Sequence, residues 1–412
     1  MADRLEYSPR WRTEGYRQLM LKELQPFEVA VSDAELAELE DRIHRTRWGG
    51  DFGGDDWSFG TNGVYLRELA DYWLYGYDWR KTEAAINAYP NFRMEIRDIP
   101  IHFMWIKGKG PSPKPLILTH GWPWTFWDYR KLIGPLSDPA AHGGDPRDAF
   151  DLVIPSLPGY GFSGPAANGI AFWEIADLWA ELMTALGYAS FGAAGSDWGA
   201  FVTAQLGHKY ADRVFGVHFP LMLPLDALSG GGGVDPALYS DTEQEWLAAN
   251  LRFRADGYGY ALLQKTRPRT HSFSANDSPV GLLAWIVEKR RSWSDCSGEV
   301  ESRFSKDDLL DTAMIYWVTQ SFGTAARLYY ETTNRPWIAS HDRSPVVEAP
   351  VAVPVFPKEV MHMPRKWAQQ YYNLKRWTSM SNGGHFAPME QPQAMIADLR
   401  AFFADCAPPQ TP

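Results

Sequence analysis

Cysteine is nearly missing: Cys296 and Cys406 are the only two among 412 residues, and no metal-type spacing relates them. That rules out a disulfide framework and points to a reducing, cytoplasmic setting. Basic charge is also short, with 40 Lys and Arg against 50 Asp and Glu. Nucleic acid and anionic membrane surfaces are therefore disfavoured partners, since both need clustered cations. No apolar run reaches the ~18 residues of a membrane span. The polar N-terminus "MADRLEYSPRWRTEGYRQLMLKELQPFEV" has no signal-peptide core. The expectation is a soluble chain. Walker, H-E-x-x-H and paired C-x-x-C motifs are missing too, so no cofactor and no metal are expected.

Aromatic residues are abundant instead: 19 Trp, and 14% Phe, Trp and Tyr together. They fill cores and lobe interfaces, or line a pocket for a bulky apolar ligand.

The chain's pattern predicts an α/β fold: a mainly parallel, doubly wound sheet carrying a helical N-terminal extension and an inserted helical lid. Helices are expected across 31–90, the first opened by the capping box Ser32–Glu35. A strand, "MEIRDIPIHFMWIKG", follows. Strand and helix then alternate through "PLILTHG", "AFDLVIPSLPG", "YASFGAAGSD" and "VFGVHFPLML", and resume at "PVAVPVFPKE" and "NLKRWTSMS". The interruption opens at the glycine run Gly230–Gly233 and holds "DSPVGLLAWIVEKRR", with Ser278 as cap and Pro279 at the first helical position. The divisions read from this are an N-terminal lobe at 1–97, core at 98–223 and 347–412, and a lid at 224–346.

The stretch "AAGSDWGAF" holds two adjacent nucleophile candidates, Ser196 and Asp197. A nucleophile elbow needs small residues two positions either side of the reactive one. Around Ser196 those are Ala194 and Trp198; around Asp197 they are Gly195 and Gly199. The Asp frame is the better one, with Asp197 as a plain helix N-cap the alternative. A carboxylate nucleophile suits attack at a saturated carbon, forming an ester that a base-activated water then hydrolyses. Glu359 in "VFPKE" and His385 in "SNGGHFAPMEQP" follow in the order acid, then histidine. Taken singly, each also reads as a solvated charge or a loop hydrogen-bonder. Asp226 is the reserve acid. The backbone N–H groups of Trp122, in "THGWPW", and of Trp198 are the expected oxyanion donors, and His120 a brace for that loop. Gly159-Tyr-Gly161-Phe-Ser-Gly164 mimics a dinucleotide fingerprint, but Pro165 follows it and no helix begins before about Ile170.

These residues resemble the microsomal-type epoxide hydrolases of the α/β-hydrolase superfamily. The likeness runs through "LEDRIHRTRW" and "YLRELADYWLYGYDWRKTEAAINAYPNF", the core motifs "LTHGWP", "PSLPGYGFSG", "GSDWG" and "GGHFAPMEQP", and the lid motifs "GYALLQKTRP" and "RLYYE". It implies an epoxide and water as substrates and a vicinal diol as product. By alignment, two lid tyrosines that protonate the epoxide oxygen become Tyr260 and Tyr329, with Tyr258 and Tyr330 the nearest rivals. The chain departs from the family at three places. Trp124 stands where relatives often carry a small residue, so a reshaped, substrate-contacting pocket mouth is expected. Gly-Ser-Asp replaces Gly-Gly-Asp, and the acid is Glu. The absence of the microsomal anchor resembles soluble fungal and bacterial members, in detoxification or secondary metabolism. A homodimer is compatible with all of this. Haloalkane dehalogenase, which also uses Asp-Trp, and a non-catalytic hydrolase-fold binder are the alternatives.

Overall fold

The computed structural model describes residues 24–50, 56–231 and 233–406. Among the described residues nine strands make one sheet: β1 (Gln25–Pro26), β2 (Asn91–Ile96), β3 (Ile99–Ile106), β4 (Lys114–Thr119), β5 (Phe150–Pro155), β6 (Phe191–Gly195), β7 (Val214–His218), β8 (Val347–Val355) and β9 (Tyr372–Ser379). Their spatial order is β1-β2-β3-β5-β4-β6-β7-β8-β9. Pairing is antiparallel from β1 to β5 and parallel from there to β9. Strands such as β5, buried at every residue, require cover on both faces.

Helices α1 (Asp33–His44), α2 (Gly63–Tyr75) and α3 (Trp79–Asn87) precede the hairpin, and Ser32, Asn62 and Asp78 cap them in turn. The Ser32–Glu35 capping box is formed. Core helices α4 (Arg130–Ser137), α5 (Phe172–Ala185) and α6 (Trp198–Lys209) follow in the βα alternation. Between β7 and β8 come α7 (Gln244–Arg252), α8 (Gly259–Thr266), α9 (Pro268–Asp277), α10 (Pro279–Ser292), α11 (Lys306–Val318) and α12 (Phe322–Thr333). The chain finishes with α13 (Arg365–Tyr371), α14 (Ala387–Glu390) and α15 (Pro392–Asp405). On β7, Val217 faces Gly207 of α6, whereas Gly216 and His218 meet Phe402 and Asp398 of α15. The two helices therefore cover opposite faces.

Two expected elements are corrected. "MEIRDIPIHFMWIKG" is a hairpin of β2 and β3, in which Ile96 faces Ile99. Its two-residue turn, Arg97-Asp98, has φ of 51° and 60°, the left-handed geometry that tight hairpins need. The boundary drawn at 97 falls on this turn, and both arms lie in the sheet. Strand β8 ends at Val355, so Glu359 stands in the loop beyond it rather than at a strand end.

The N-terminal helices fasten onto the lid rather than the sheet. Tyr77 and Thr82 hydroxyls donate to Asp311 of α11 at 2.9 and 2.6 Å, and Thr61 donates to the Ala284 carbonyl of α10 at 2.7 Å. Among the described residues no helix is long and apolar enough to cross a membrane, and no His, Cys, Asp and Glu group is placed to hold a metal. Both cysteines are free and buried.

Candidate active site

Only Ser196 and Asp197 separate β6 from α6, so the chain must turn within two residues. Asp197 takes the strain, at φ 55° and ψ −123°. A Cβ on Gly195 would lie 2.3 Å from the Gly199 carbonyl oxygen, and one on Gly199 would lie 1.8 Å from that of Thr119. Glycine is obligatory at both places, and the turn is centred on Asp197. Ser196 is buried beneath it and lines no part of the cavity above.

The two carboxylate oxygens of Asp197 have different surroundings. Oδ1 accepts from the backbone N–H of Trp122 at 2.8 Å and of Trp198 at 2.7 Å. Oδ2 lies 3.3 Å from His385 Nε2, an ion-pair distance without hydrogen-bond alignment. One oxygen is pinned by two dipoles, and the other faces the imidazole. The Trp122 loop can come this close because position 121 is glycine; a Cβ there would sit 2.3 Å from Asp197 Cβ. His120 braces the loop: its Nε2 accepts from Leu157 N at 3.0 Å, and its Nδ1 lies 3.0 Å from the Gly121 carbonyl. Burial lowers the His120 pKa to about 4, which suits this neutral, structural role.

His385 and Glu359 arrive from neighbouring loops. Lys358 bridges to Gly384 beyond the ends of β8 and β9, and its N–H donates to the Gly383 carbonyl at 3.0 Å. The next residues along each strand, Glu359 and His385, are then side by side, with His385 Nδ1 2.5 Å from Glu359 Oε1. Burial alone would lower the His385 pKa. The Glu359 and Asp197 carboxylates outweigh it and push the value up to about 10. At neutral pH the resting ring is an imidazolium between two carboxylates. Asp226 has no part in this arrangement.

Lid helices α8 and α12 bring Tyr260 and Tyr329 over Asp197, all three lining one cavity of about 380 Å³. The Tyr260 ring stacks flat on Trp122, centroids 5.1 Å apart and planes at 4°. Tyr329 stands edge-on to Trp198 at 4.7 Å and 82°. Burial above all holds both phenols well above their usual pKa; the Asp197 charge comes next for Tyr260, and Tyr260 followed by Asp197 for Tyr329, so both keep their protons. Of their sequence neighbours, Tyr258 lines the cavity, whereas Tyr330 is 41% exposed on the outer surface.

Trp124 is a correction. Rather than forming the mouth, it is fully buried and packs edge-on behind His385, ring centroids 5.6 Å apart. The cavity wall is instead built from Phe201, Phe253, Met361 and other apolar side chains the sequence did not single out. Two further residues were missed. Glu390 accepts from the backbone N–H of Phe386 (2.9 Å) and of Asp295 (2.7 Å), tying the His385 loop to the lid; burial pushes its pKa up to about 7. Lys289, ion-paired with Glu288, has its ammonium 5.3, 5.4 and 5.8 Å from the ring centroids of Tyr260, Trp285 and Trp293. The signal was present: Trp285, Lys289 and Trp293 recur at every fourth residue of "WIVEKRRSW", the spacing of one helical face.

The oxyanion loop is also held from the lid. Arg290 of α10 pairs with Asp128 at 2.7 Å, both side chains 2% exposed, and its guanidinium donates to the Pro123 carbonyl at 3.3 Å. Asp128 in turn accepts from Thr125 N at 2.8 Å. Arg290→Met is expected to cost about 3–5 kcal/mol of stability, because it strands a buried carboxylate. Denaturant midpoints for Arg290→Met, Asp128→Asn and the double variant check this. The double should be less damaged than the sum of the two singles.

Residues 24–129 match the family model for the epoxide hydrolase N terminus, and residues 114–392 match that for the alpha/beta hydrolase fold. A putative epoxide hydrolase of Stigmatella aurantiaca is 41% identical over 382 residues, 92% of this chain and 84% of that protein. Epoxide hydrolase 1 of Oryctolagus cuniculus is 33% identical over 95% of this chain and 91% of its own. The solved structure of Aspergillus niger epoxide hydrolase superposes with a TM-score of 0.81 at 30% identity, covering 93% of this chain and 96% of that one. An elbow built for aspartate, an N-terminal segment clamped to the lid and likeness along nearly the whole chain agree, and the chain belongs to the epoxide hydrolases of the α/β-hydrolase fold.

Proposed function

We propose that this protein converts a bulky apolar or aryl epoxide to a vicinal diol through an ester on Asp197. The observation that carries this is the unequal treatment of the Asp197 oxygens. Oδ2 attacks an epoxide carbon from behind while Tyr260 and Tyr329 donate to the ring oxygen, and the C–O bond breaks as the ester bond forms. Oδ1, already held by the Trp122 and Trp198 N–H groups, becomes the ester carbonyl oxygen and then the oxyanion when water adds to Cγ.

The charge balance suits two steps. Alkylation removes the Asp197 charge, one of the two that hold the His385 proton. The proton passes to the tyrosinate left by ring opening, and His385 becomes the neutral base for water. Glu359 then stabilises the imidazolium that re-forms; as the tetrahedral adduct collapses, the proton of the added hydroxyl goes to the departing diol oxygen, which restores the Asp197 carboxylate beside the imidazolium.

The test is diol release from an aryl epoxide panel by the wild type and by Asp197→Ala. The variant is expected to fall by ~10⁴-fold or more, as losing a nucleophile does elsewhere. Substantial residual turnover in a folded variant would overturn the scheme.

A further inference from the structure

Most of the residues that line the cavity over Asp197 are apolar, yet an arginine is among them. Arg254 lines the same space as Asp197 and the two lid tyrosines. It sits in a single π-helical turn, Phe253–Gly257, directly after α7. Widened turns of this kind re-aim side chains and are frequent at functional sites. Phe253, next to Arg254, and Tyr258, just past the turn, also line the cavity. Among the described residues Arg254 is exposed and has no ion pair or hydrogen bond; its charge bears on the phenols of Tyr239 and Tyr258.

Several other arginines of the lid are engaged. Arg252 pairs with Glu245 at 2.5 Å, Arg290 with Asp128 at 2.7 Å, and Arg327 with Glu331 at 2.9 Å. Asp197 is the one carboxylate among the cavity-lining residues, and it is paired with His385. Arg254 is thus an exposed cation lining a largely apolar cavity in a protein of net charge −10.

We infer that Arg254 is a substrate-selecting residue, and that the preferred epoxide sits on an apolar chain or ring bearing a carboxylate-type group at the end remote from the epoxide. This rests on the proposed reaction at Asp197 and adds the substrate class. The epoxide lies between Asp197 and the tyrosines, the apolar body lies along the Phe201, Phe253 and Met361 walls, and the anion meets the guanidinium in a charge-assisted hydrogen bond.

Epoxides of straight-chain alkenoic acids of increasing length, each paired with its methyl ester, separate the possibilities. The readout is the ratio of kcat/KM for acid over ester, in the wild type, Arg254→Gln and Arg254→Lys. At the chain length that reaches Arg254 the wild type should favour the acid about tenfold, the worth of one charged hydrogen bond. Arg254→Gln should remove that preference, Arg254→Lys should keep part of it, and added salt should weaken it because the site is open to solvent. Equal use of acid and ester at every length, or a preference that survives in Arg254→Gln, would overturn the inference while leaving the reaction intact. Failure to open any epoxide, acid or ester, would instead overturn the reaction on which it rests.

Discussion

His385→Gln mixed with an aryl epoxide is expected to gain the full mass of the epoxide and to keep it. Ring opening is an addition, so nothing leaves when Asp197 Oδ2 bonds to carbon. Hydrolysis of that ester then needs a base for water, and position 385 no longer supplies one. Loss of a general base slows such a step by ~10²–10⁴-fold, enough for the ester to accumulate to one per chain. Glutamine is chosen because its amide can still donate to Glu359, so the buried carboxylate keeps a partner. Intact-protein mass spectrometry reads the adduct, and adding Asp197→Ala must abolish it. A haloalkane panel runs alongside: a gain equal to the haloalkane less its hydrogen halide, with no epoxide adduct, would establish the dehalogenase alternative. In the wild type the sign of the pH effect follows from the charges. The resting His385 pKa, about 10, is held up partly by Asp197. Esterification removes that share and the pKa drops, so ester breakdown speeds up as pH rises through the lowered value. Ester should therefore build up most readily in acid.

The elbow was legible because sterics act on the sequence directly. Two glycines had to frame the nucleophile, and the distances a Cβ would meet at Gly195 and Gly199 explain why. The grouping of Asp197, Glu359 and His385 was legible from chain order, although the bridge between Lys358 and Gly384 that joins Glu359 to His385 has no sequence signature. The β2–β3 turn was hidden for a related reason. Arg97-Asp98 carries neither Gly nor Asn, and its alternation of apolar residues passes smoothly across the tip. Trp124 misled because burial depends on which way the loop after Pro123 folds, and here it turns inward behind His385. Arg254 gave no signal at all. What distinguishes it is its place in the cavity lining, which is visible only once the neighbours have been placed.

Changing both Tyr260 and Tyr329 to Phe is expected to slow alkylation by ~10²–10⁴-fold, the span that general acid catalysis covers. The single changes should each cost about tenfold, the worth of one hydrogen bond to developing charge. The double loss exceeds either because one phenol can still donate when the other is gone, and only their joint removal leaves the alkoxide with no proton source. Phenylalanine keeps the ring, so the Tyr260 stack on Trp122 and the Tyr329 contact with Trp198 survive, and misfolding is a poor explanation for the loss. Those same tryptophans touch both the tyrosines and Asp197, so single-turnover indole fluorescence reports alkylation directly. Ester hydrolysis, which uses His385 and the oxyanion donors, should change far less in the double variant. An unaltered alkylation rate would remove both tyrosines from the reaction. A loss confined to hydrolysis would place them on the second step instead. Lys289 bears on the same phenol, because an ammonium over the Tyr260 ring offsets negative charge that develops there when the proton leaves.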